Sequence, residues 1–361
     1  MLTSSAPAVQ DLKQGRTRAL CAAGGALAAA SAWIIEAIQR QPDDRIPRRQ
    51  RDAHGGPGAD ESGAAGGGAA ELQAQLHGSS LRRRDGRSMM IGLMLEDIAN
   101  PYSAAIYRVV EDVARGLGVG LLAGSIDEDP GRERDLAAAL ILRRVDGLLI
   151  VPAGHDHSYL VNEMQMGTAL VFIDRTPRYL AADAVASDNR AGTAKGVRYL
   201  IERGHRRIAY LGDLSSITTA QDRFAGFLDA LREASLSLDD HLVRHDLHAI
   251  DAATAAATEL LTGSSPPTAL FSGQNLVTIG TVRALRAAGL QHRIALIGFD
   301  DFPLADLLEP GITVIAQDPV SIGKLATEIL FQRINGDTSP VQEHVVPTRL
   351  IERASGAIPP P

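Results

Sequence analysis

From Met89 onwards the sequence alternates apolar, strand-like runs with amphipathic, helix-like segments, and no other feature constrains the fold as strongly. The run MMIGLML (residues 89–95) predicts a buried strand, and residues 103–118 predict an amphipathic helix that ends at a glycine. Further strands are predicted at VGLLAGS, DGLLIVPA and ALVFIDR (169–175), with a helix between each strand and the next. Strands that alternate with single helices pair in parallel through crossover connections. The sequence therefore predicts an α/β fold.

A second cycle of the same kind begins at Asp188. It contains the helix GTAKGVRYLIERG, the strand RIAYLGD, and then further helices that alternate with the strands TALFSGQ and IALIGFDD. The tail adds the strand ITVIAQD, the helix SIGKLATEILFQRI and the strand HVVPTRLIER, which we expect to complete the two existing sheets. The prediction is two tandem, doubly wound parallel-sheet subdomains with a cleft between them. Ligands of open α/β sheets bind at the carboxyl ends of the strands, so this cleft is the expected ligand site.

The predicted domain organisation has four parts, and the chain crosses three times between the two sheets. They are an irregular N-terminal region (1–79), a hinge or linker (80–88), an N-terminal effector subdomain (89–188 plus 318–344) and a C-terminal effector subdomain (189–317 plus 345–361).

Composition limits the classes of protein that this chain can be. Its 361 residues, of which 45% are hydrophobic, can fill two substantial cores. The single cysteine, Cys21, excludes an internal disulfide framework and a thiolate metal cluster. With a net charge of −7, any contact with nucleic acid needs a local basic patch. No run of the sequence reaches the ~18 consecutive apolar residues of a membrane span, and no membrane partner is expected.

The N-terminus leaves an alternative open. Lys13, Arg16 and Arg18 precede the Ala/Gly-rich run 20–32, and the ASA motif that ends at Ala32 resembles a signal-peptidase site. An exported protein is therefore weighed against an ordinary helical or unstructured tail.

Polar side chains follow the predicted strands, where a ligand of the cleft would meet them. The set combines carboxylates, amides and two guanidinium groups, which make strong directional hydrogen bonds to a small polyhydroxy ligand. Polar residues at these positions also suit helix caps, and for Asn100, Asp188 and Asn275 capping is as good an explanation as ligand binding. The eleven predicted effector residues are Asp97, Asn100, Tyr102, Asp174, Arg175, Thr219, Arg223, Gln274, Asn275, Asp300 and Gln317. Asp213 and Thr218 also flank the first crossover of the second sheet. Of the neighbours Asp300 and Asp301, only one need face the ligand.

Catalysis finds no support in the sequence, and an enzyme is not predicted. No Ser-His-Asp or Cys-His arrangement and no G-x-S-x-G motif is recognisable. His155 and His157 could share a metal, but no third ligand follows at a suitable spacing, so we expect two solvent-exposed loop residues. No cofactor is expected either.

A series of segments resembles the lactose-repressor family of bacterial transcription regulators. The segments are RGHRRIAYLGD, DRFAGFLDAL, PTALFSGQN, IALIGFDD and VVPTRLIERASG, and the similarity runs from about Ser80 to Gly356. The resemblance implies a helix-turn-helix head, a hinge helix and an effector core of the type I periplasmic-binding-protein-like fold. It also implies a cytoplasmic homodimer that binds operator DNA and a sugar-like effector. Among the candidates it implies that Arg223 and Asp300 contact the effector, and that Asp97, Tyr102, Arg175, Gln274 and Gln317 complete the pocket.

Sugar-binding proteins of import systems share this core and are the main rival. They would use residues 1–32 as a signal peptide and need no basic segment before the first strand. The linker LRRRDGRS and the helix SIGKLATEIL resemble the regulators. Within the linker, Arg82, Arg83, Arg84 and Arg87 could contact DNA phosphates, which gives weak, sequence-independent binding.

The DNA-binding head that the resemblance implies is missing from the sequence as written. Residues 54–70 contain seven glycines and five alanines, a composition that cannot form a packed three-helix head. A Gly-rich linker is one explanation. A second uses the genetic code: codons for residues 41–52, when translated one nucleotide later, can encode SLTTVSRVVNGT, which is close to the family's recognition helix. The same shift over residues 72–79 can encode YKPNSTAR, after which Ser80 continues the hinge in frame.

We therefore expect residues 35–79 to be an out-of-frame translation of a helix-turn-helix head. The coding sequence checks this directly: stop codons in the shifted frame, or different strings, contradict the hypothesis. The polypeptide as written should show no sequence-specific operator binding in a gel-shift assay, because it lacks a helix to enter the major groove. A specific complex would count against the frame shift.

Overall fold

The computed structural model describes residues 87–361, and the Gly-rich segment, the frame-shift hypothesis and Arg82, Arg83 and Arg84 lie outside that range. Two six-stranded sheets form the described part, with strand orders β11-β5-β4-β3-β1-β2 and β12-β10-β9-β8-β6-β7. The first sheet comprises β1 (Met90–Leu95), β2 (Gly120–Ser125), β3 (Gly147–Ile150), β4 (Ala169–Ile173), β5 (Asp183–Ser187) and β11 (Glu343–Val346). The second comprises β6 (Ile208–Leu211), β7 (Val243–Arg244), β8 (Ala269–Ser272), β9 (Ala295–Phe299), β10 (Thr313–Ala316) and β12 (Arg349–Ile351).

Helices cover both faces of each sheet. They are α1 (Pro101–Gly116), α2 (Pro130–Leu142), α3 (Val161–Gln165), α4 (Asn189–Glu202), α5 (Thr218–Glu233), α6 (Ile250–Thr262), α7 (Asn275–Ala287) and α8 (Pro319–Ile334). Each sheet is lined by one apolar cluster on either side, so four clusters of buried side chains fill the two subdomains. The strand pairs are parallel, except that β12 runs antiparallel to β10 at the edge of the second sheet. The predicted pair of doubly wound α/β units is confirmed.

Three helices begin with the same capping motif, a polar N-cap residue followed by a proline. Asn100, Asp129 and Asp318 each cap a helix whose first residue is a proline, and each side-chain oxygen accepts a backbone N–H of the first turn. Proline is favoured at this position because its missing N–H would have no partner in the helix. Capping supplies an acceptor for an N–H that the helix leaves unsatisfied. These dipeptides fix where α1, α2 and α8 begin, and α1 and α8 begin at the cleft.

The sequence prediction was wrong at the carboxyl end, where it gave HVVPTRLIER as one strand. Two strands form instead: β11 pairs with β5 in the first sheet, and β12 pairs with β10 in the second. Pro347 lies between them, and a proline cannot donate to a strand ladder. The change of sheet therefore lies between Val346 and Arg349, whereas the predicted boundary at 344/345 falls inside β11.

Two strands were not predicted. β5 follows β4 without an intervening helix, so the alternation of strands and helices gave no signal for it. β7 is only two residues long. β5 pairs in parallel with β4 and β11 inside the first sheet, and β7 pairs in parallel with β6 at the edge of the second.

The hinge end of the described chain is held by hydrogen bonds to the first subdomain. Arg87 donates through Nη1 to Asn335 Oδ1 at 2.8 Å and through Nη2 to the Ile334 carbonyl at 2.5 Å, at the carboxyl end of α8. The backbone N–H groups of Ser88 and Met89 donate to the Asp146 carboxylate. The Arg87 guanidinium thus lies at the carboxyl end of a helix, where a cation is favoured, and its contact with DNA phosphate stays a prediction.

Close packing of α4 against α5 depends on a glycine. A Cβ placed on Gly226 would lie 2.1 Å from the backbone oxygen of Arg190, so no side chain fits there without moving one helix. We predict that Gly226→Ala lowers the free energy of unfolding by about 1–3 kcal/mol through overpacking. Gly116→Ala is the control, because nothing lies within 4 Å of its Cβ position. Urea denaturation compares the two, and equal stability of both variants would contradict this packing.

Candidate functional site

A polar cavity lies where the carboxyl ends of the two sheets face each other. Its space free of protein atoms, part of which is open to solvent, is about 440 Å³. Its walls come from the loops that follow β1, β3, β4, β6, β8, β9 and β10 and from α1 and α5. The lining residues are Glu96, Asn100, Tyr102, Ser103, Val151, Asp174, Arg175, Asp213, Thr219, Arg223, Gln274, Asp300 and Gln317. A small molecule in this cavity would therefore contact both subdomains.

Two aspartates occupy equivalent places in the two halves, directly after β4 and β9. Asp174 and Asp300 have φ angles of 71° and 70°, in the left-handed region that L residues seldom adopt. Each backbone N–H donates across its sheet at 2.8 Å, Asp174 to the Val185 carbonyl and Asp300 to the Ile315 carbonyl. These ladder bonds hold the strained conformation, which brings both carboxylates to the cavity. Strained backbone of this kind is common at binding sites.

The carboxylates of these aspartates contact neighbouring polar side chains. The Tyr102 hydroxyl donates to Asp174 Oδ1 at 3.3 Å, and Gln317 Nε2 donates to Asp300 Oδ1 at 2.7 Å. Burial, followed by the charge of Asp174, raises the pKa of Tyr102, so its hydroxyl keeps its proton. Burial also raises the pKa of Asp300, although Arg223 opposes this shift. The cavity therefore presents both donors and acceptors.

Arg223 is buried at the centre of the second subdomain's wall. Its Nε donates to Asn189 Oδ1 at 2.8 Å and its Nη1 to the Gly273 carbonyl at 2.8 Å. The guanidinium carbon lies 3.9 Å from the centroid of the Phe299 ring, and Nη1 lies 4.0 Å from Asp300 Oδ2. Stacking on an aromatic face and two fixed acceptors leave the guanidinium with a single orientation.

Arg175 occupies the facing wall and is paired with a residue behind it. Its Nη1 and Nη2 donate to the two carboxylate oxygens of Glu128 at 2.7 and 2.6 Å, and Nη1 also donates to the Pro152 carbonyl at 2.8 Å. Although burial lowers the pKa of Arg175, the hydrogen bonds and charge of Glu128 raise it above its ordinary value. The pair is bidentate, the strong form of an arginine–carboxylate contact.

Two sets of side chains bridge the subdomains beside the cavity. Asn275 Nδ2 donates to Asn100 Oδ1 at 2.8 Å, and both residues are buried. His248 lies 2.7 Å from Asp213 Oδ1 through Nδ1 and 3.4 Å from Glu96 Oε1 through Nε2. The hydrogen bond to Asp213, opposed by burial, raises the pKa of His248 to about 9, so the imidazole is charged at neutral pH.

Nine of the eleven effector residues predicted from the sequence line the cavity. They are Asn100, Tyr102, Asp174, Arg175, Thr219, Arg223, Gln274, Asp300 and Gln317. Asn275 lies behind Asn100. Asp213, which the strand-end argument also named, is a further lining residue.

Asp97 does not line the cavity, contrary to the sequence prediction. Its Oδ1 accepts the backbone N–H of Ala99 in the turn before α1, and the neighbouring Glu96 faces the cavity in its place. For the second acidic pair, Asp300 faces the cavity, whereas Asp301 pairs with Arg353 at 2.8 Å. The sequence could not decide between adjacent acids, because the geometry of each turn sets which one points inward.

Two candidates combine a helix cap with a place in the cavity wall. Asn100 Oδ1 accepts the backbone N–H of Tyr102 at 3.0 Å, and Gln274 Oε1 accepts the N–H of Leu276 at 2.7 Å. For Asn100, capping and exposure to the ligand site, which the sequence analysis weighed as alternatives, occur together. For Asn275 the expected cap was wrong, because its neighbour Gln274 caps α7. Glu96, Ser103 and Val151 were missed. Of these three, only Glu96, an acidic residue directly after β1, could have been recognised from the sequence.

The histidine pair differs from its prediction. His155 is exposed, but His157 is buried; it accepts the backbone N–H of Arg178 at 3.0 Å and contacts the Phe172 ring edge-on. Burial lowers the pKa of His157, which favours the neutral ring. Within residues 87–361, no group of three or more His, Cys, Asp or Glu side chains is arranged to hold a metal ion.

Comparison with known proteins shows which family has this architecture. A family model described as a periplasmic binding protein-like domain matches residues 197–356. The HTH-type transcriptional regulator PtxS of Pseudomonas aeruginosa is 31% identical over 75% of this chain and 79% of its own length. The chain belongs to the lactose-repressor family of transcriptional regulators.

Two further members of the family are similar over the same extent. The ribose operon repressor of Halalkalibacterium halodurans is 29% identical over 74% of this chain and 79% of its own length. The structure of the complex of the transcriptional regulator CelR with cellobiose is 26% identical, with a TM-score of 0.67, and the match covers 82% of this chain and 93% of that one. The resemblance stated from the sequence is confirmed. Among the residues that the structure describes, no helix is long and apolar enough to cross a membrane.

The raised pKa of the Glu96 carboxyl makes the free energy of unfolding depend on pH. Burial, then the charge of Glu128, raises the pKa of Glu96 from 4.5 to about 7. Because the folded state favours the protonated form, this contribution to stability is complete below pH 4.5 and is lost as the pH rises through 7. Glu96→Gln keeps the group neutral, so we predict that the variant gains on the order of 2 kcal/mol relative to wild type between those pH values.

Denaturant unfolding at a series of pH values measures this difference. Glu202→Gln, at an exposed position on α4, is the control and should follow the wild-type pH dependence. If Glu96→Gln has the same pH dependence as wild type, the cavity does not disfavour the charged form of Glu96.

Proposed function

We propose that this chain is a ligand-responsive transcriptional regulator of the repressor type, whose effector is a sugar or a related polyhydroxy metabolite that binds in the cavity between the subdomains. The observation that carries the proposal is the cavity itself, in which polar side chains from both sheets converge at the strand ends. The proposal includes a homodimer in the cytoplasm without catalytic activity. Operator DNA is the partner of family members with an intact helix-turn-helix head, whereas the chain as written is expected to lack sequence-specific operator binding. Family membership and the names of the relatives support the proposal.

Hydrogen-bonding capacity in the cavity suits hydroxyl groups. A hydroxyl both donates and accepts, and the walls carry carboxylate and amide acceptors beside guanidinium and phenol donors. Gln317 Oε1 is buried at the cavity wall, and among residues 87–361 no group donates to it. A buried acceptor without a donor is costly, so a ligand hydroxyl at this oxygen would be favoured.

The relatives point to the same class of ligand. One is named a repressor of the ribose operon, and the CelR structure contains cellobiose. Ribose and cellobiose are uncharged polyhydroxy compounds that differ in size. We infer a sugar-like effector for this chain without assigning its identity.

A ligand that bridges the subdomains would act through linkage. It can shift an equilibrium between open and closed clefts only by its difference in affinity for the two forms. α8 starts two residues after Gln317 and ends where Arg87 donates to the carbonyl of its last residue, Ile334. We infer that α8 connects the state of the cleft to the position of the hinge.

The rival function, an exported sugar-binding protein, uses the same cavity. Cell fractionation separates the two: a mature protein outside the cytoplasm, cleaved after Ala32, would contradict the regulator proposal. Retention of the uncleaved chain in the cytoplasm is the expected result.

The proposed effector site is tested through Arg223. In a thermal-shift screen over neutral sugars, including ribose and cellobiose, we expect at least one to raise the Tm of wild type, because bound ligand stabilises the native state by about 2.7 kcal/mol at a hundredfold excess over Kd. Arg223→Ala should abolish the shift.

Arg232→Ala is the matched control on the same helix, where the exposed Arg232 pairs with Asp229. It should keep the full response. If Arg223→Ala is too unstable to assay, Asp300→Asn tests the same wall of the cavity and should weaken the response. A shift that survives at both positions would exclude this cavity as the site.

A further inference from the structure

The two guanidinium groups of the cavity are committed to partners inside the protein. Glu128 binds both terminal nitrogens of Arg175 at 2.6–2.7 Å, and Asp174 Oδ2 lies 3.3 Å from its Nε. Arg223 donates to Asn189 and Gly273. An anionic ligand would have to compete with the Glu128 carboxylate for Arg175, whereas the hydrogen-bond partners of Arg223 are neutral oxygens.

His248, the third cation at the cleft, is also paired with carboxylates of the protein. His248 is 2.7 Å from Asp213 and 3.4 Å from Glu96, two carboxylates that line the cavity. The lining also contains Asp174 and Asp300, so four carboxylates and two guanidinium groups form the wall, with Glu128 directly behind Arg175.

The titration of Glu96 agrees with nearby negative charge. Burial and then the charge of Glu128 raise the pKa of Glu96 to about 7. A group whose ionisation is already disfavoured by burial and by its neighbours marks a place where one more anion is unfavourable. Like charges brought together in a desolvated site repel strongly.

We propose that Glu128 determines the charge selectivity of the cleft: by neutralising Arg175 it makes the site accept uncharged polyhydroxy ligands and reject sugar acids and sugar phosphates. This inference rests on the proposed function of the cavity as a sugar site. It adds a residue that lies outside the cavity lining and that no strand-end argument selected.

The turn that carries Glu128 directs it inward. Asp127 and Glu128 are consecutive residues with φ angles of 51° and 55°, between β2 and α2. The Asp127 side chain is 50% exposed and pairs with Arg132 at the surface, whereas the Glu128 side chain is 6% exposed. Two adjacent acids of one turn therefore have different surroundings, which supplies a matched pair of variants.

The experiment measures selectivity with matched neutral and anionic probes. Isothermal titration calorimetry compares ribose with ribose 5-phosphate and glucose with gluconate, on wild type, Glu128→Gln and Asp127→Asn. In wild type we expect the neutral member of a bound pair to have a Kd lower by at least about tenfold, the scale of one hydrogen bond to a charged group. Glu128→Gln should reduce that ratio about tenfold by leaving Arg175 available to the anion. Asp127→Asn, with the same change in net charge, should keep the wild-type ratio.

Each outcome either supports or contradicts the proposed role of Glu128. Preference of wild type for an anionic probe overturns the inference but leaves the sugar-effector function standing. An unchanged ratio in a folded Glu128→Gln also overturns it. If Glu128→Gln does not fold, Glu96→Gln, which removes a lining carboxylate, should lower the ratio, and no change there is equally contrary. Binding of neither neutral nor anionic sugars would refute the proposed function itself, and the inference with it.

Discussion

Parallel pairing of strands is the constraint on which the rest of the structure depends. Because parallel strands must be joined by crossovers, every strand of a sheet ends at the same edge, and the loops that follow are brought together there. With two such sheets in tandem, residues as far apart in sequence as Glu96 and Gln317 line one cavity. The binding site is thus a consequence of topology before any side chain is chosen.

The cost of burying charge then determines how the charged side chains of the cavity wall are paired. An unpaired charge away from water is costly, so each cation at the cleft has a carboxylate or carbonyl partner with good geometry. Arg175 is held by Glu128, Arg223 by Asn189 and Gly273, and His248 by Asp213. These contacts fix the side chains before a ligand arrives, which reduces the entropy that binding must overcome. Pairing of this kind also sets what the site can accept, since a cation with a fixed partner offers little to an anion.

The cleft and the hinge are joined by one rigid element. α8 begins after Asp318, which caps its first turn, packs against α1 and β4, and ends at the contact with Arg87. A change in the relative position of the subdomains would be transmitted along this helix to the start of β1. The chain passes between the subdomains three times: between β5 and α4, between β10 and α8, and between β11 and β12.

The sequence by itself determined the class of fold, the two-unit organisation, most of the cavity residues and the family, because strand and helix periodicities and strand-end polar residues are local features of the chain. It did not determine β5, which no helix separates from β4, or the division of HVVPTRLIER between two sheets. Nor could it choose Glu96 over Asp97, since turn geometry sets which neighbour points inward. The pairing of Glu128 with Arg175, 47 residues apart, was decided by tertiary structure alone, because it depends on where two loops of the folded first subdomain meet.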